Sequence, residues 1–370
     1  MSIFRVHRLA AAALLSLALS SSARARDVYI AIAGPMTGST AALGAQIRDG
    51  AAAAVDSINA SGLLPDTRLI LRIADDACDP KQAVAVANRL TSDGIKLVVG
   101  HFCSSSSIPA SDIYAEAGVV QISTGSTNPR LTERGLTTVF RICGRDDQQG
   151  RVAAEYIARR QRGAKLAVLD DKSTAGKGIA DIVESQLRAA GEHTFRQSYV
   201  AGEKDYTALV SRLKTEGIQL VYIGGYYNEI GLIVRQAAEA GARLTMMAND
   251  PLMTSDFLAI AGDAVNGTLF TFMPDPTTNA AGAAAVAKLQ GSSLSGAGYT
   301  LYAYAAVQAW ADSVKRAGSF DAARVAAALR SDSIETAIGT VRFDSEGDNA
   351  APGFIVYRWR ENTVEAVEQN

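Results

Sequence analysis

The chain has 370 residues, of which 48% are hydrophobic and 20% charged, and its 36 basic residues nearly balance 38 acidic ones. No stretch concentrates Lys or Arg, so nucleic acid and anionic membrane surfaces are poor candidates for partners. The length predicts two domains, since a typical domain has about 100 to 200 residues.

The first residues have the pattern of a secretory signal peptide. Arg5 and Arg8 precede an apolar run over 9–19, and small residues follow up to Ala25. The apolar run is shorter than the roughly 18 to 20 residues that a membrane-spanning helix needs, and no cysteine follows it as a lipid attachment site. We therefore expect residues 1–25 to be a signal peptide that is cleaved after Ala25, which would place the mature protein in the periplasm.

The first part of the mature chain alternates short apolar runs with longer helical patterns. These patterns predict strands at 28–33, 69–74, 96–100 and 119–123, and helices at 45–60, 80–90 and 108–117. Such alternation indicates a mostly parallel sheet with helices on both faces.

The same alternation then starts again. It predicts strands at 165–169, 194–200, 220–223 and 244–247, and helices at 147–160, 176–190, 206–216 and 229–240. A third stretch contains predicted helices at 280–288, 298–316 and 321–328, and strands at 340–343 and 354–359. This stretch is too short for a third domain, so we expect it to complete the first lobe before its last strand returns to the second.

The predicted domains follow from this order. Residues 26–146 plus 276–352 would form the N-terminal lobe, and residues 147–275 plus 353–370 the C-terminal lobe. The chain would cross between the lobes near Arg145, Asp275 and Pro352, at three hinge strands.

The cysteines are Cys78, Cys103 and Cys143. In an oxidising compartment at least one pair should be bridged. Cys78 and Cys103 each follow a predicted strand, and neighbouring parallel strands place their C-terminal ends within the short separation that a disulfide needs. We expect a bridge between these two and a buried free thiol at Cys143.

Motifs of catalysis and metal binding are incomplete or absent. Ala175-Gly176-Lys177 resembles part of a phosphate-binding loop, but Asp171 stands where that motif requires glycine, and no Ser or Thr follows the lysine. The sequence contains no G-x-S-x-G, H-E-x-x-H or C-x-x-C motif. We therefore expect no enzyme activity, cofactor or metal.

Two further sets of residues have structural interpretations. His101 and His193 are isolated, and lone histidines are usually structural. Asp75, Asp76 and Asp79 resemble a calcium cluster but lack a terminal bidentate Glu. We interpret the three aspartates as a solvated turn that holds Cys78.

Polar residues at four strand ends are the best candidates for ligand contacts. Hydroxyls and free N–H groups at 104–107 can bind a carboxylate at a helix N-terminus, although the same serines could simply cap that helix. A second polar segment, 123–127, leaves the same sheet edge, where open α/β sheets bind ligands. In the second lobe, 224–227 and Asn249-Asp250 occupy corresponding ends, and Asp250 can hold an ammonium group.

These segments also carry a family resemblance that extends over the mature chain. Residues 75–88 and 100–106 are the most specific, and 202–206 and 224–226 add to them. The chain resembles the leucine/isoleucine/valine-binding proteins of bacterial ABC importers, in the type I periplasmic binding-protein superfamily. The resemblance implies an α/β fold of two Rossmann-like lobes, joined by three hinge strands, that close on an amino acid like a Venus flytrap.

The resemblance also implies roles for individual residues. Ser104 and Thr127 would contact the ligand carboxylate through their side chains, and Gly125 would offer its backbone. Tyr226 and Asp250 would meet the ligand when the lobes close. The branched-chain binding proteins have Glu where this chain has Asp250, which keeps the charge but shortens the reach. The disulfide of the family falls on Cys78 and Cys103.

The side-chain pocket departs from the family pattern. Ala175 and Leu43 replace cleft tyrosines, Phe102 stands where leucine is frequent, and Tyr302 would add bulk. The leading expectation is leucine, isoleucine or valine. Smaller neutral amino acids, γ-aminobutyrate and aromatic compounds remain open.

The resemblance implies a partner as well. We expect a monomer that delivers its ligand to an importer permease in the inner membrane. Two alternatives keep the fold, namely an amide, urea or aromatic-acid binder and a ligand sensor for a membrane receptor. An aromatic acid would gain nothing from the Asp250 carboxylate.

Overall fold

The structure, a computed structural model, describes residues 25–160, 163–290, 296, 298–350 and 353–367. The predicted signal peptide up to residue 24 and the crossing predicted at Pro352 lie outside the described residues. Within these ranges, no helix combines the length and the apolar character that are needed to cross a membrane.

The first sheet is parallel, and its strands lie in the spatial order β2-β1-β3-β4-β5. The central strands β3 and β4 are buried along their whole length, as expected for a parallel sheet covered on both faces. The strands are β1 (Arg26–Gly34), β2 (Thr67–Asp75), β3 (Leu97–Gly100), β4 (Val120–Ser123) and β5 (Val139–Arg141).

Helices that connect these strands cover the first sheet, and two later helices join them. They are α1 (Ala41–Ser61), α2 (Pro80–Ser92) and α3 (Ser104–Glu116). Among the later helices, α10 (Thr300–Ala317) packs against α1 and also contacts α11 (Ala322–Ser331). The first unit is defined here as the first sheet with α1–α3, α10 and α11.

The second sheet has the spatial order β14-β13-β10-β9-β8-β6-β7. Its strands are parallel, except that β13 pairs antiparallel with both β10 and β14. The chain first contributes β6 (Leu166–Asp170), β7 (Thr194–Ser198), β8 (Leu220–Gly224), β9 (Thr245–Ala248) and β10 (Leu269–Phe272). After a small hairpin, β11 (Ile334–Thr336) with β12 (Gly339–Val341), it adds β13 (Ile355–Arg360) and β14 (Thr363–Ala366).

The second unit is defined as this sheet with α4–α8. Those helices are α4 (Asp146–Arg160), α5 (Thr174–Ala189), α6 (Thr207–Thr215), α7 (Tyr227–Glu239) and α8 (Ser255–Ala261). The remaining helices are α9 (Ala280–Gln290), α10 (Thr300–Ala317) and α11 (Ala322–Ser331).

Every helix and strand predicted from the sequence has a counterpart in the structure. One helix, which carries candidate ligand contacts, begins earlier than predicted. The helix predicted at 108–117 begins at Ser104, because the serine backbone continues directly into the helix and Pro109 is accommodated inside it. Sequence patterns missed β5, β10, β11, β14 and α8.

The turn at 75–79 is structural but not fully solvated, which corrects the interpretation of its three aspartates. Asp75 accepts the N–H of Met36 at 2.9 Å, and Asp79 caps α2. Asp76 is fully buried, and its carboxylate pairs with Nδ1 of His101 at 2.5 Å. Burial is tolerated because the imidazole supplies a partner for this carboxylate.

The predicted disulfide joins Cys78 to Cys103, with a Cα–Cα distance of 5.5 Å and a separation of 25 residues. Cys143 is buried and free. The bridge fixes the aspartate turn to the start of α3, which carries Ser104.

Removing this bridge should lower the free energy of unfolding. For Cys78→Ser combined with Cys103→Ser we expect a loss of about 2 to 4 kcal/mol, because a loop of this length gains entropy in the unfolded chain. Denaturant unfolding of the oxidised protein and the double variant measures the difference. Thiol titration of the unfolded wild type without reductant should count only Cys143; three reactive thiols would contradict the bridge.

Candidate functional site

Serine hydroxyls follow β3 at the C-terminal edge of the first sheet. The N-cap of α3 is Cys103, so the serines lie inside the helix and do not cap it. Ser107 donates its hydroxyl to the His101 carbonyl at 2.8 Å. The Ser104 hydroxyl is buried and has no hydrogen-bond partner among the described residues. Ser104 thus keeps an unused hydroxyl at a helix N-terminus, where an anion is favoured.

A second polar loop follows β4 on the same edge. The Ser126 hydroxyl donates to the Phe102 carbonyl at 2.8 Å, which ties this loop to the chain after β3. The Thr124 hydroxyl is buried without a partner in the described part of the chain. Thr127 is buried one residue beyond Ser126. The structure therefore brings Ser104 and Thr127, predicted from separate segments, to one edge.

Gly125 lies against the ring of Phe102. A Cβ at this position would come within 2.3 Å of the ring, so the close approach requires glycine. The Phe102 ring in turn meets Tyr299 edge-on, with ring centroids 4.8 Å apart. Phe102 therefore links the backbone at Gly125 to the start of α10.

Asp250 follows β9 on the second sheet and is 1% exposed. Its carboxylate accepts a hydrogen bond from Nε2 of Gln149 at 3.0 Å and a short one from the hydroxyl of Tyr299. Both donors are neutral. Burial raises the pKa of Asp250, and the bonds from Tyr299 and Gln149 oppose that rise. A cation placed beside this carboxylate would stabilise its charged form.

The neighbouring strand end places Tyr226 beside Asp250. The Gly225 N–H donates to the side chain of Asn249 at 3.2 Å, which joins the ends of β8 and β9. Burial raises the pKa of Tyr226, and the carboxylates of Asp171 and Asp250 raise it further. The tyrosine thus lies in a strongly negative environment.

The two units contact each other directly around these residues. Besides the Tyr299–Asp250 bond, the Tyr227 hydroxyl donates to the Ser39 carbonyl at 2.8 Å. Asn128 donates to the Thr174 carbonyl at 3.0 Å. The Thr127 loop of the first unit and Asp250 of the second therefore both lie where the two units meet.

A protein-family model described as periplasmic binding protein matches residues 27–363 of the chain. The chain belongs to the periplasmic binding protein family. The family resemblance inferred from the sequence is thereby confirmed.

Individual relatives of this periplasmic binding protein cover nearly the whole chain. Leu/Ile/Val-binding protein homolog 1 of Brucella suis is 44% identical over 335 residues, which are 90% of each chain. A Pseudomonas aeruginosa protein named amino acid binding protein is 44% identical over 361 residues, which are 96% of each chain.

Solved structures confirm the predicted fold class. The leucine-binding protein LivK of Thermotoga maritima matches with a TM-score of 0.85 and 27% identity, covering 92% of this chain and 98% of that one. LivJ of Streptococcus pneumoniae, solved with isoleucine, matches with a TM-score of 0.82 and 25% identity, covering 92% and 99%.

The other residues predicted to shape the pocket of this periplasmic binding protein lie in separate elements of the fold. Leu43 is fully buried in the first turn of α1, and Ala175 is partly buried in the first turn of α5. Tyr302 directs its hydroxyl toward the Pro274 carbonyl at 3.5 Å. Tyr299, one helical turn earlier, is the aromatic residue beside Asp250.

Sequence reasoning missed Tyr299 and Gln149. Each reaches Asp250 from a distant part of the chain, 49 and 101 residues away. No local motif marks such pairs, since tertiary folding brings them together from distant parts of the chain.

Proposed function

We propose that this chain is the periplasmic substrate-binding component of an ABC importer, which captures a small neutral amino acid between its lobes. Leucine, isoleucine and valine are the leading ligands. The names of the Brucella and Pseudomonas relatives support an amino-acid ligand. The observation that carries the proposal is the buried Asp250 carboxylate with neutral partners, which an ammonium group would complete.

The proposed binding mode divides the zwitterion between the lobes. Ser104, Thr127 and the backbone at Gly125 bind the ligand carboxylate. Tyr226 and Asp250 bind the ammonium end when the lobes close. Closure then shifts the population toward the form that the permease recognises.

The proposed lobes are 26–146 plus 276–352 and 147–275 plus 353–370. Packing of α10 against α1, and of β13 against β10, supports this division. The segments at 142–145 and 273–275 would then act as hinges, and the mature protein as a monomer.

Ligand binding should raise the thermal stability of the mature protein after refolding has removed any ligand carried through purification. A ligand at a hundred times its Kd adds about 2.7 kcal/mol to the free energy of unfolding. The screen covers the proteinogenic amino acids, γ-aminobutyrate, urea, short amides and aromatic acids. Shifts with neutral aliphatic amino acids support the proposal. A shift with only an amide or an aromatic acid would overturn the ligand class and leave the fold intact.

A further inference from the structure

Asp146 is a buried carboxylate that none of the proposed ligand contacts uses. It begins α4, where the chain passes from the first unit to the second, and is 1% exposed. Among the described residues, no partner meets hydrogen-bond geometry with either carboxylate oxygen, although the Thr127 hydroxyl is close enough to favour the charged form. A carboxylate left this way is costly to keep charged, so it must be neutralised by a proton or by a nearby cation.

Asp146 lies behind both halves of the proposed ligand site. Its backbone N–H donates to the Thr127 carbonyl at 2.9 Å, on the carboxylate-binding side. Gln149, one turn later on the same face of α4, donates to the Asp250 carboxylate at 3.0 Å. The first turn of α4 therefore connects Thr127 directly to Asp250.

The charges around Asp146 favour its protonated form. Burial raises its pKa to about 7, and the Asp250 and Asp147 carboxylates act in the same direction. The Thr127 hydroxyl and the Arg141 guanidinium oppose them. Arg141 is a weak counter-ion here, since it is bonded to Asp348 at 2.8 Å. Among the described residues, the other titratable side chains that interact with this pair of carboxylates include Tyr222, Tyr226, Cys143 and Tyr299.

We propose that Asp146 and Asp250 share one proton while the cleft holds no cation, and that the ligand ammonium group displaces it. Amino-acid binding is then coupled to proton release near neutral pH. This inference rests on the proposed function, because it takes the ammonium group to bind beside Asp250. Two interacting buried carboxylates titrate as a pair, so the proton belongs to both.

Because ligand binding is linked to the protonation of Asp146, the direction in which affinity changes with pH can be derived. A cation beside the pair favours the ionised form and lowers the pKa of Asp146, so binding releases a proton. Affinity should therefore fall as pH drops from about 8 to about 6. If the ligand lowers the pKa by one, Kd rises by about fivefold over that range.

Calorimetry in two buffers measures the released proton. The mature wild-type protein is titrated at pH 7 with L-leucine, or with L-alanine if leucine causes no thermal shift, in phosphate and in Tris. The difference in binding enthalpy, divided by the difference in buffer ionisation enthalpy, gives the number of protons. We expect release of about half a proton at pH 7, because a group with a pKa near that pH is about half protonated.

Asp146→Asn and Asp147→Asn form a matched pair of variants. They are adjacent in sequence and remove the same charge, but the Asp147 side chain is half exposed and is bonded by Arg145. We expect Asp146→Asn to abolish proton release and to flatten the dependence of Kd on pH, and Asp147→Asn to retain both.

The outcomes separate this inference from the proposed function. Absence of binding by every amino acid would remove both. Binding without proton release in the wild type, or release that persists in Asp146→Asn, would overturn the inference alone. If Asp146→Asn does not fold, carboxyl-carbon NMR of aspartate-labelled wild type decides instead: a buried carboxyl must titrate near pH 7 without leucine and at lower pH with it.

Discussion

Replacing Asp250 by alanine is expected to weaken amino-acid binding by about 2 to 5 kcal/mol, or roughly 30-fold to several thousand-fold in Kd. The physical reason is that the ligand ammonium group would be buried without its counter-charge. The hydroxyl of Tyr299 and the amide of Gln149, which both bond to Asp250, would also lose their acceptor. Calorimetric titration of the variant with the ligand that stabilises the wild type most strongly measures the effect.

Asp263→Ala is the matched control, since Asp263 is an exposed aspartate of the same unit. We expect its affinity to equal that of the wild type. Melting curves of both ligand-free variants separate lost binding from lost folding. An unchanged Kd in Asp250→Ala would remove Asp250 from the site and, with it, the main support for an ammonium-bearing ligand.

The sequence predicted the alternation of the fold because parallel strands buried on both faces form continuous apolar runs. β3 and β8 follow this pattern, and both are buried along their whole length. β5 has only three residues, which are too few for this pattern to be recognised. β10 is as long as β3, but Thr271 interrupts its apolar run. The antiparallel edge strand β14 is only partly buried, so its apolar signal is weak.

The candidate site was predictable only where local chemistry marks it. Polar residues at strand ends indicated Ser104, Thr127 and Asp250, because ligands bind at the C-terminal edge of such sheets. The sequence also left open whether the serines cap α3. The backbone shows that they do not, because the helix begins one residue after Cys103, at Ser104.

Buried polar pairs between distant segments were not predictable. Asp76 was expected in a solvated turn, yet it is buried against His101, 25 residues later. The sequence indicates Tyr302 as a pocket residue and gives no sign that Tyr299 contacts Asp250. Both tyrosines lie near the start of α10, and only the position of the second unit determines which hydroxyl reaches Asp250.

A buried ion pair next to the proposed ligand site should contribute strongly to stability. Arg141 is fully buried and bonds Oδ1 of Asp348 at 2.8 Å. It also donates to the carbonyls of Ser126 and Asn128, at 2.9 and 2.7 Å, on either side of Thr127. For Arg141→Met we expect a loss of about 3 to 5 kcal/mol in the free energy of unfolding, because the change leaves a buried carboxylate without this partner. Denaturant unfolding at pH 7 measures it.

Two comparisons identify the cause of that loss. Arg68→Met removes an exposed arginine that pairs with Asp27, and it should change stability little. Adding Asp348→Asn to Arg141→Met removes the buried carboxylate that then has only Arg145 and the Thr132 hydroxyl as partners, and it should recover part of the stability. Equal losses in Arg141→Met and Arg68→Met would contradict a stabilising role for the buried pair. No ligand group needs to touch Arg141 in the proposed binding mode. Weaker ligand binding by the folded Arg141→Met protein would therefore show that Arg141 holds the Thr127 loop in its binding conformation.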